Sequence, residues 1–201
     1  MNPSVSLILP VRDLESRLRD RVVGILELLC ELTTEFDLLI VDYGSRDESR
    51  EVAMDLVREF PQVDFLDKPE ATDIVTAIEA GIRRTRGEII FVHDPNTPLG
   101  VGALQSLWRM RDDRDLVMAQ SRSTDATSGS LVGFSGLRQG SFGGTGGCLQ
   151  MIRRCAIPSG RATEPAKYAV DRVTRTDLLS ESLESRRLPK LLSRLRRIQQ
   201  P

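Results

Sequence analysis

A chain of 201 residues, 40% of them hydrophobic, with a formal net charge of -1 is long enough to bury one sizeable core without covalent or metal staples. Its near-neutral balance leaves no global basic field, which argues against nucleic acid as a bulk partner. Cys30, Cys148 and Cys155 are odd in number and lack any CxxC spacing, so they read as reduced packing residues rather than a disulfide framework or a zinc site.

The first residues, MNPSVSLILPVRD, run into a short apolar strand and then charge, without the basic start, apolar stretch and cleavage site of a signal peptide. No apolar run approaches the roughly 20 residues needed to cross a bilayer. The expected location is the cytoplasm. Val5 to Pro10 is the first predicted strand. Leu14, Leu18, Val22, Ile25, Leu26, Leu29 and Leu32 then recur at steps of three and four, the pattern of a helix packed on a sheet.

Phe36 to Asp42 is the second predicted strand. It ends in an acidic residue, followed by Tyr43, a Gly44-Ser45 turn and Asp47, which opens a helix with the stripe Val52, Ala53, Leu56, Val57 and Phe60. Val63 to Leu66 is a short strand. Thr72 and Asp73 favour the start of a third helix, carried by Ile74, Val75, Ala77, Ile78 and Ile82 and ending near Gly87. Glu88 to His93 returns as a strand and runs into Asp94-Pro95-Asn96. This alternation predicts right-handed crossovers and a mainly parallel sheet covered by helices, an α/β fold in which ligands bind beyond the carboxyl ends of the strands. Asp42 and Asp94 both stand at such ends.

Gly102 to Asp112 reads as a helix, Asp115 to Arg122 as a strand and Cys148 to Ile152 as another. Between the last two, Ser128 to Gly147 is glycine-rich, a long loop of the kind that forms binding loops or lids. The chain closes with a basic segment, RRLPKLLSRLRR. No internal repeat or second domain is visible, so residues 1–201 are expected to form one domain: a nucleotide-binding part over 4–122, and an acceptor and loop part with the basic segment over 123–201.

The order of motifs resembles glycosyltransferase family 2, enzymes of the GT-A fold, nearest to the polyprenyl- and dolichyl-phosphate mannose synthase-like branch. VSLILPVRDLE is similar to the family's opening strand and Pro-x-x-Asn-Glu, with Pro10 kept and Asp13 in place of the Asn. VDYGSRDES is similar to Val-Asp-Asp-Gly-Ser-x-Asp, keeping Asp42, Gly44, Ser45 and Asp47. AIEAGIRRTRGEIIFVHDPN keeps Ala77, Gly81, Gly87 and Asp94 of the helix, Gly-Glu turn and metal-binding Asp-x-Asp, and DLVMAQSR is similar to the strand that follows.

The resemblance implies transfer of a sugar from a UDP- or GDP-sugar to a polyprenyl phosphate or a saccharide. It implies nucleotide binding by Pro10, Arg12, Asp13, Asp42, Tyr43, Gly44 and Ser45, and Mg²⁺ or Mn²⁺ held by Asp94 and Asn96, Asn96 standing where the family has its second Asp. The alternative is a catalytically inactive nucleotide-binding or assembly subunit, suggested by Tyr43 and Asn96 in place of acids. Read from the residues alone, Asp94-Pro95-Asn96 is equally a turn, and Tyr43 either stacks on a base or closes the sheet edge. Asp13 either approaches the ribose or begins a helix, and Asp47 is a helix-start residue more than a ligand. His93 is structural, because strand alternation points it away from its inward-facing neighbour. Asp125, Glu164 and Asp171 are isolated acids, none assignable as general base. Peripheral contact of the basic segment with the inner membrane face, and homo-oligomer formation, stay open. A sugar-nucleotidyltransferase would carry a glycine-rich basic loop after its first strand, and Pro10-Val11-Arg12-Asp13 is not that loop.

Overall fold

The computed structural model describes residues 3–71, 73–113, 116–123, 149–157 and 167–173. Among these residues seven strands form one sheet: β1 (Val5–Val11), β2 (Phe36–Asp42), β3 (Val63–Asp67), β4 (Ile89–His93), β5 (Leu116–Ser123), β6 (Leu149–Arg153) and β7 (Lys167–Val173), in the order β3-β2-β1-β4-β6-β5-β7. Helices α1 (Glu15–Leu32), α2 (Ser49–Glu59), α3 (Ile74–Arg84) and α4 (Val101–Arg109) make the crossovers. β1 pairs parallel with β2 and β4, β2 with β3, and β5 with β7. β6 runs antiparallel between β4 and β5.

β1, β2 and β4 are largely apolar because both sheet faces are covered. Leu7, Leu9, Leu38, Ile40 and Phe91 share one core with Leu18, Ile25, Leu56 and Leu104 of α1, α2 and α4. Their neighbours Ile8, Leu39, Val41, Ile90 and Val92 face the other way, against Ala77, Ile78 and Ile82 of α3. The two-residue alternation of the strands thus meets the helical period on each side. Among the described residues no helix is long and apolar enough to cross a membrane. The glycine-rich loop at 128–147, the basic C-terminal segment, Cys148, Thr72, Asp125 and Glu164 lie outside the described residues.

Two glycines matched to the family motif have a packing reason. A Cβ on Gly81 would stand 2.9 Å from Ile8 Cγ2, where α3 lies on β1. A Cβ on Gly87 would stand 2.5 Å from the Ser6 backbone nitrogen and 2.6 Å from Ser6 Oγ, groups that cannot retreat because Gly87 N–H donates to that same Oγ at 2.8 Å. Gly87→Ala is therefore expected to lower stability by about 1–3 kcal/mol, the usual cost of overpacking, read as a lower denaturant midpoint with an unchanged slope. Gly81→Ala meets side-chain methyls of Ile8 and Val41 rather than backbone, and should cost less.

On the rim away from the C-terminal strand ends, Arg154 closes the same corner. Its Nε donates to Gly87 O at 2.7 Å, its Nη1 to Ile82 O at 3.2 Å and its Nη2 to Thr85 Oγ1 at 3.0 Å. The bond to Ile82 O satisfies a carbonyl in the last turn of α3, a position that favours a cation. Burial lowers the proton affinity of this guanidinium, and Asp37 restores part of it. Cys30 is half-buried, and its thiol is pushed up to about 11 by burial and then by Glu27 and Glu31, which suits an unreactive packing residue.

Candidate functional site

The strand order reverses between β1 and β4, since β2 lies on one side of β1 and β4 on the other. In open α/β sheets that point is a crevice at the carboxyl ends of the strands. Pro10 helps to open it. Val11 O accepts from Tyr43 N on the β2 side, so Pro10, one residue earlier, turns its missing N–H toward β4. The β1–β4 ladder has already ended there, at Ile8 and Val92, and the proline leaves no donor reaching across the gap.

Asp42 closes β2 in register with Val11 of β1 and Asp67 of β3 and is 4% exposed. Its Oδ1 accepts from the backbone N–H groups of Gly44 and Ser45, both at 2.9 Å. That geometry needs Gly44 at φ +91°, a conformation glycine adopts without a Cβ penalty. The other oxygen, Oδ2, is buried with no hydrogen-bond partner. Asp67 pairs with Arg50 at 2.8 Å. Tyr43 is half-buried, with Leu66, Ile74 and Ile157 packed into the same cluster, and the Arg12 guanidinium carbon stands 5.8 Å from its ring centroid, within cation–π range.

Asp94 follows β4, also 4% exposed. Its Oδ1 accepts from Asn96 N at 2.9 Å and from Asn96 Nδ2 at 3.1 Å, while its carbonyl accepts from Thr97 N at 3.2 Å. The turn reading and the ligand reading of Asp94-Pro95-Asn96 are thus compatible: a turn with Asp first and Pro second presents both side chains. Burial is the main reason the Tyr43 phenol holds its proton more tightly than usual. Arg12 opposes this, and Asp94, Asp13 and Asp42 reinforce it. These three carboxylates therefore lie within electrostatic reach of one ring.

The loops after β1 and β2 are fastened to each other. Asp13 N donates to Ser45 Oγ at 3.1 Å, and Asp13 Oδ1 accepts from Arg46 N at 2.7 Å. Leu14 N donates to Ser49 Oγ at 2.8 Å, Glu15 N to Asp47 Oδ2 at 2.9 Å, and Glu48 N to Glu15 Oε2 at 3.1 Å. Asp47 Oδ1 also accepts from Ser49 N at 3.0 Å and from Ser49 Oγ. Each helix thus satisfies the unpaired N-terminal N–H groups of the other. Asp13, at φ +52°, and Asp47 spend carboxylate oxygens on this brace. The helix-start reading of Asp47 holds with its cap shared between two helices, and Asp73 caps α3 through Thr76 N at 2.8 Å.

For Asp47, burial works against ionisation, but the bonds from Ser49 and Glu15 outweigh it and hold the carboxyl below its usual range. A depressed folded value means the contribution is complete above the unfolded value, near pH 4, and disappears as pH falls through the folded one. Asp47→Asn keeps an acceptor for Ser49 and loses the one for Glu15. It is expected to cost about 1 kcal/mol at pH 7, held to that size by solvent screening. The gap to the parent protein should narrow as urea melts are taken from pH 5 to pH 3.

Arg21 carries no signal in the sequence and lies close to the site. Burial lowers its proton affinity first, Arg17 one turn earlier adds to this, and Asp20 and Asp94 oppose it. The half-buried guanidinium of α1 is thus within electrostatic reach of Asp94. His93 is fully buried, with its Nε2 3.1 Å from Thr97 O. Asp171 lies in β7.

A mostly parallel sheet with helices on both faces, and two buried acids at the ends of β2 and β4, the strands that flank β1 where the order reverses, fit a GT-A sheet, the class of nucleotide-diphospho-sugar transferases. The chain belongs to glycosyl transferase family 2, whose family model matches residues 6–132. It is 30% identical over 95 residues to a dolichyl-phosphate beta-glucosyltransferase of Trichomonas vaginalis, covering 45% of this chain and 29% of the relative. Among solved structures it is similar in fold to a mannosyltransferase of Pyrobaculum calidifontis, in complex with GDP-Man and Mn²⁺, with a TM-score of 0.56, 13% identity, and 77% of this chain and 46% of that one covered. The glucosyl-3-phosphoglycerate synthase of Mycobacterium tuberculosis, in complex with Mn²⁺, UDP and phosphoglyceric acid, superposes with a TM-score of 0.59, 13% identity and coverage of 86% and 69%. The chain thus spans under a third of the length of the curated relative it matches.

Proposed function

We propose that the chain is a divalent-metal-dependent hexosyltransferase that moves a sugar from a UDP- or GDP-sugar to a polyprenyl phosphate or a saccharide. The observation that carries this reading is the state of Asp42: one oxygen is saturated by the Gly44–Ser45 turn, and the other is buried with no donor. A buried carboxylate oxygen left unpaired costs free energy, and the ring N–H of uracil or guanine is a donor that would relieve it. Tyr43, the next residue, supplies an aromatic ring with Arg12 over it, a surface of the kind on which a base stacks.

Asp94 and Asn96 supply one carboxylate and one amide oxygen, a hard donor set that fits Mg²⁺ or Mn²⁺ when a diphosphate and water complete the shell. Such a cation neutralises the charge of a departing diphosphate. The chain's own part is to hold the base at Asp42 and to keep the loops after β1 and β2 rigid through the Asp13–Arg46 and Asp47–Glu15 bonds. A phosphate-bearing acceptor is supported by the dolichyl-phosphate and phosphoglyceric acid named for the relatives.

A second reading, a catalytically inactive nucleotide-binding or assembly subunit, is favoured by one observation. Asn96 directs its backbone N–H and its side-chain amide at the same oxygen of Asp94, and so occupies an atom a cation would use. Calorimetric titration of UDP, GDP and their sugars with and without Mn²⁺ separates the two. Metal-dependent binding that Asp94→Ala removes supports the transferase. Binding indifferent to metal, or no binding under any metal condition, supports the inactive subunit.

A further inference from the structure

The bonds that close the turn after β4 are internal to it. Asn96 N and Nδ2 reach Asp94 Oδ1, and Thr97 N and Oγ1 reach Asp94 O. They set the shape of the turn from within. The imidazole of His93 makes a contact of another kind. It belongs to the last residue of β4, is 0% exposed, and sits in register with Leu149 of β6. Its Nε2 lies 3.1 Å from Thr97 O. A carbonyl oxygen only accepts, so Nε2 carries the hydrogen and donates it.

We propose that His93 is a positioning residue for the Asp94–Asn96 oxygen pair: its buried Nε2–H ties the far end of the turn back to β4, so that the two side chains face a cation in one arrangement. The inference rests on the reading of Asp94 and Asn96 as cation ligands. The physical basis is that a short polar turn at a strand end fluctuates locally unless anchored, whereas a ligand pair must be held in one geometry to bind a small hard cation well. The anchor is a ring packed on every side and so confined to a single rotamer. Partners of this kind, which orient ligands without touching the metal, are typically worth 10–100-fold in affinity.

The test compares His93→Phe, which fills the space without a donor, with His93→Gln, whose amide N–H can reach the place of Nε2–H. His93→Leu serves as the donor-free variant should the Phe ring not fit. Two quantities are read: amide hydrogen exchange at Asn96 and Thr97 in ligand-free protein, and Mn²⁺-dependent UDP or GDP binding. The donor-free variant is expected to speed exchange at these amides and to weaken binding about tenfold, and His93→Gln to recover both. A donor-free variant that matches the parent protein, or a Gln variant no better than the donor-free one, overturns the proposal. If the parent protein binds no nucleotide with any metal, the transferase reading falls instead, and exchange in the ligand-free proteins still decides whether His93 holds the turn.

Discussion

Asp42→Asn is expected to leave the protein folded with a melting temperature close to that of the parent, and to weaken nucleotide binding by about 100-fold, the upper end for a charged hydrogen bond inverted into a donor–donor contact. The separation of the two effects follows from the two carboxylate oxygens. An asparagine oxygen can take the place of Oδ1 and accept from Gly44 N and Ser45 N, now at 2.9 Å, so the turn persists. The amide NH₂ then replaces Oδ2, the buried oxygen with no partner, and faces a nucleobase N–H with a donor of its own. Removing a buried charge that lacks a full set of donors also offsets the weaker acceptance at the turn. Asp42→Ala differs: it strands both turn N–H groups and should lose stability and binding together. Calorimetry with UDP and GDP beside thermal melts of both variants measures this. An Asp42→Asn protein that binds nucleotide as the parent does would remove Asp42 from the site.

The parts legible in the sequence were those whose cause is local. Val5–Val11, Phe36–Asp42 and Ile89–His93 are apolar runs bounded by turn residues, and the stripes of α1, α2 and α3 keep the helical period, so the first four strands and their crossovers follow from pattern alone. Asp42 and Asp94 stood out because a carboxylate directly after a buried strand has one plausible place, the sheet edge. β7 carries no such signal: KYAVDRV is interrupted by charge and preceded by no helical stripe to mark a crossover. Nothing in the sequence marked β6 as running antiparallel between two strands that run the other way, since strand direction depends on partners and not on composition.

The brace between the two loops was illegible for the same reason. Asp13 and Arg46 are 33 residues apart, and Leu14 and Ser49 are 35 apart. Each residue has an ordinary local explanation as a helix start, and only the fold shows that each serves the other helix. Arg154, 67 residues from Gly87, looked like one basic residue among many. Alternation reads His93 as structural, and the structure buries it fully, but its bond to Thr97 O depends on the turn doubling back, which no periodicity reports.

Asn96→Asp should act on stability and on metal affinity in opposite directions. In the metal-free protein the Asn96 amide donates to Asp94 Oδ1 at 3.1 Å; a carboxylate there loses that bond and sets two negative groups against each other. Asp94 is 4% exposed and cannot turn fully to water, whereas residue 96 is exposed and can swing partly away, which limits the penalty to about 1 kcal/mol, or roughly 2–4 °C in a protein of this size. With Mn²⁺ and a nucleoside diphosphate present the same repulsion is neutralised, and the oxygen that Asn96 had engaged is released to the cation. The affinity of oxygen-ligand sites rises with the number of charged ligands, so Mn²⁺ is expected to bind about tenfold more tightly, equivalent to about 1.4 kcal/mol. The variant should therefore melt below the parent protein without metal and regain or exceed its melting temperature with Mn²⁺ and UDP or GDP, because ligand binding adds to stability in proportion to the logarithm of occupancy. Thermal melts across a Mn²⁺ series at fixed nucleotide read both terms in one experiment. A variant that melts lower in every condition, with no gain from Mn²⁺, would mean that residue 96 shapes the turn and does not ligate, leaving Asp94 without its proposed partner oxygen.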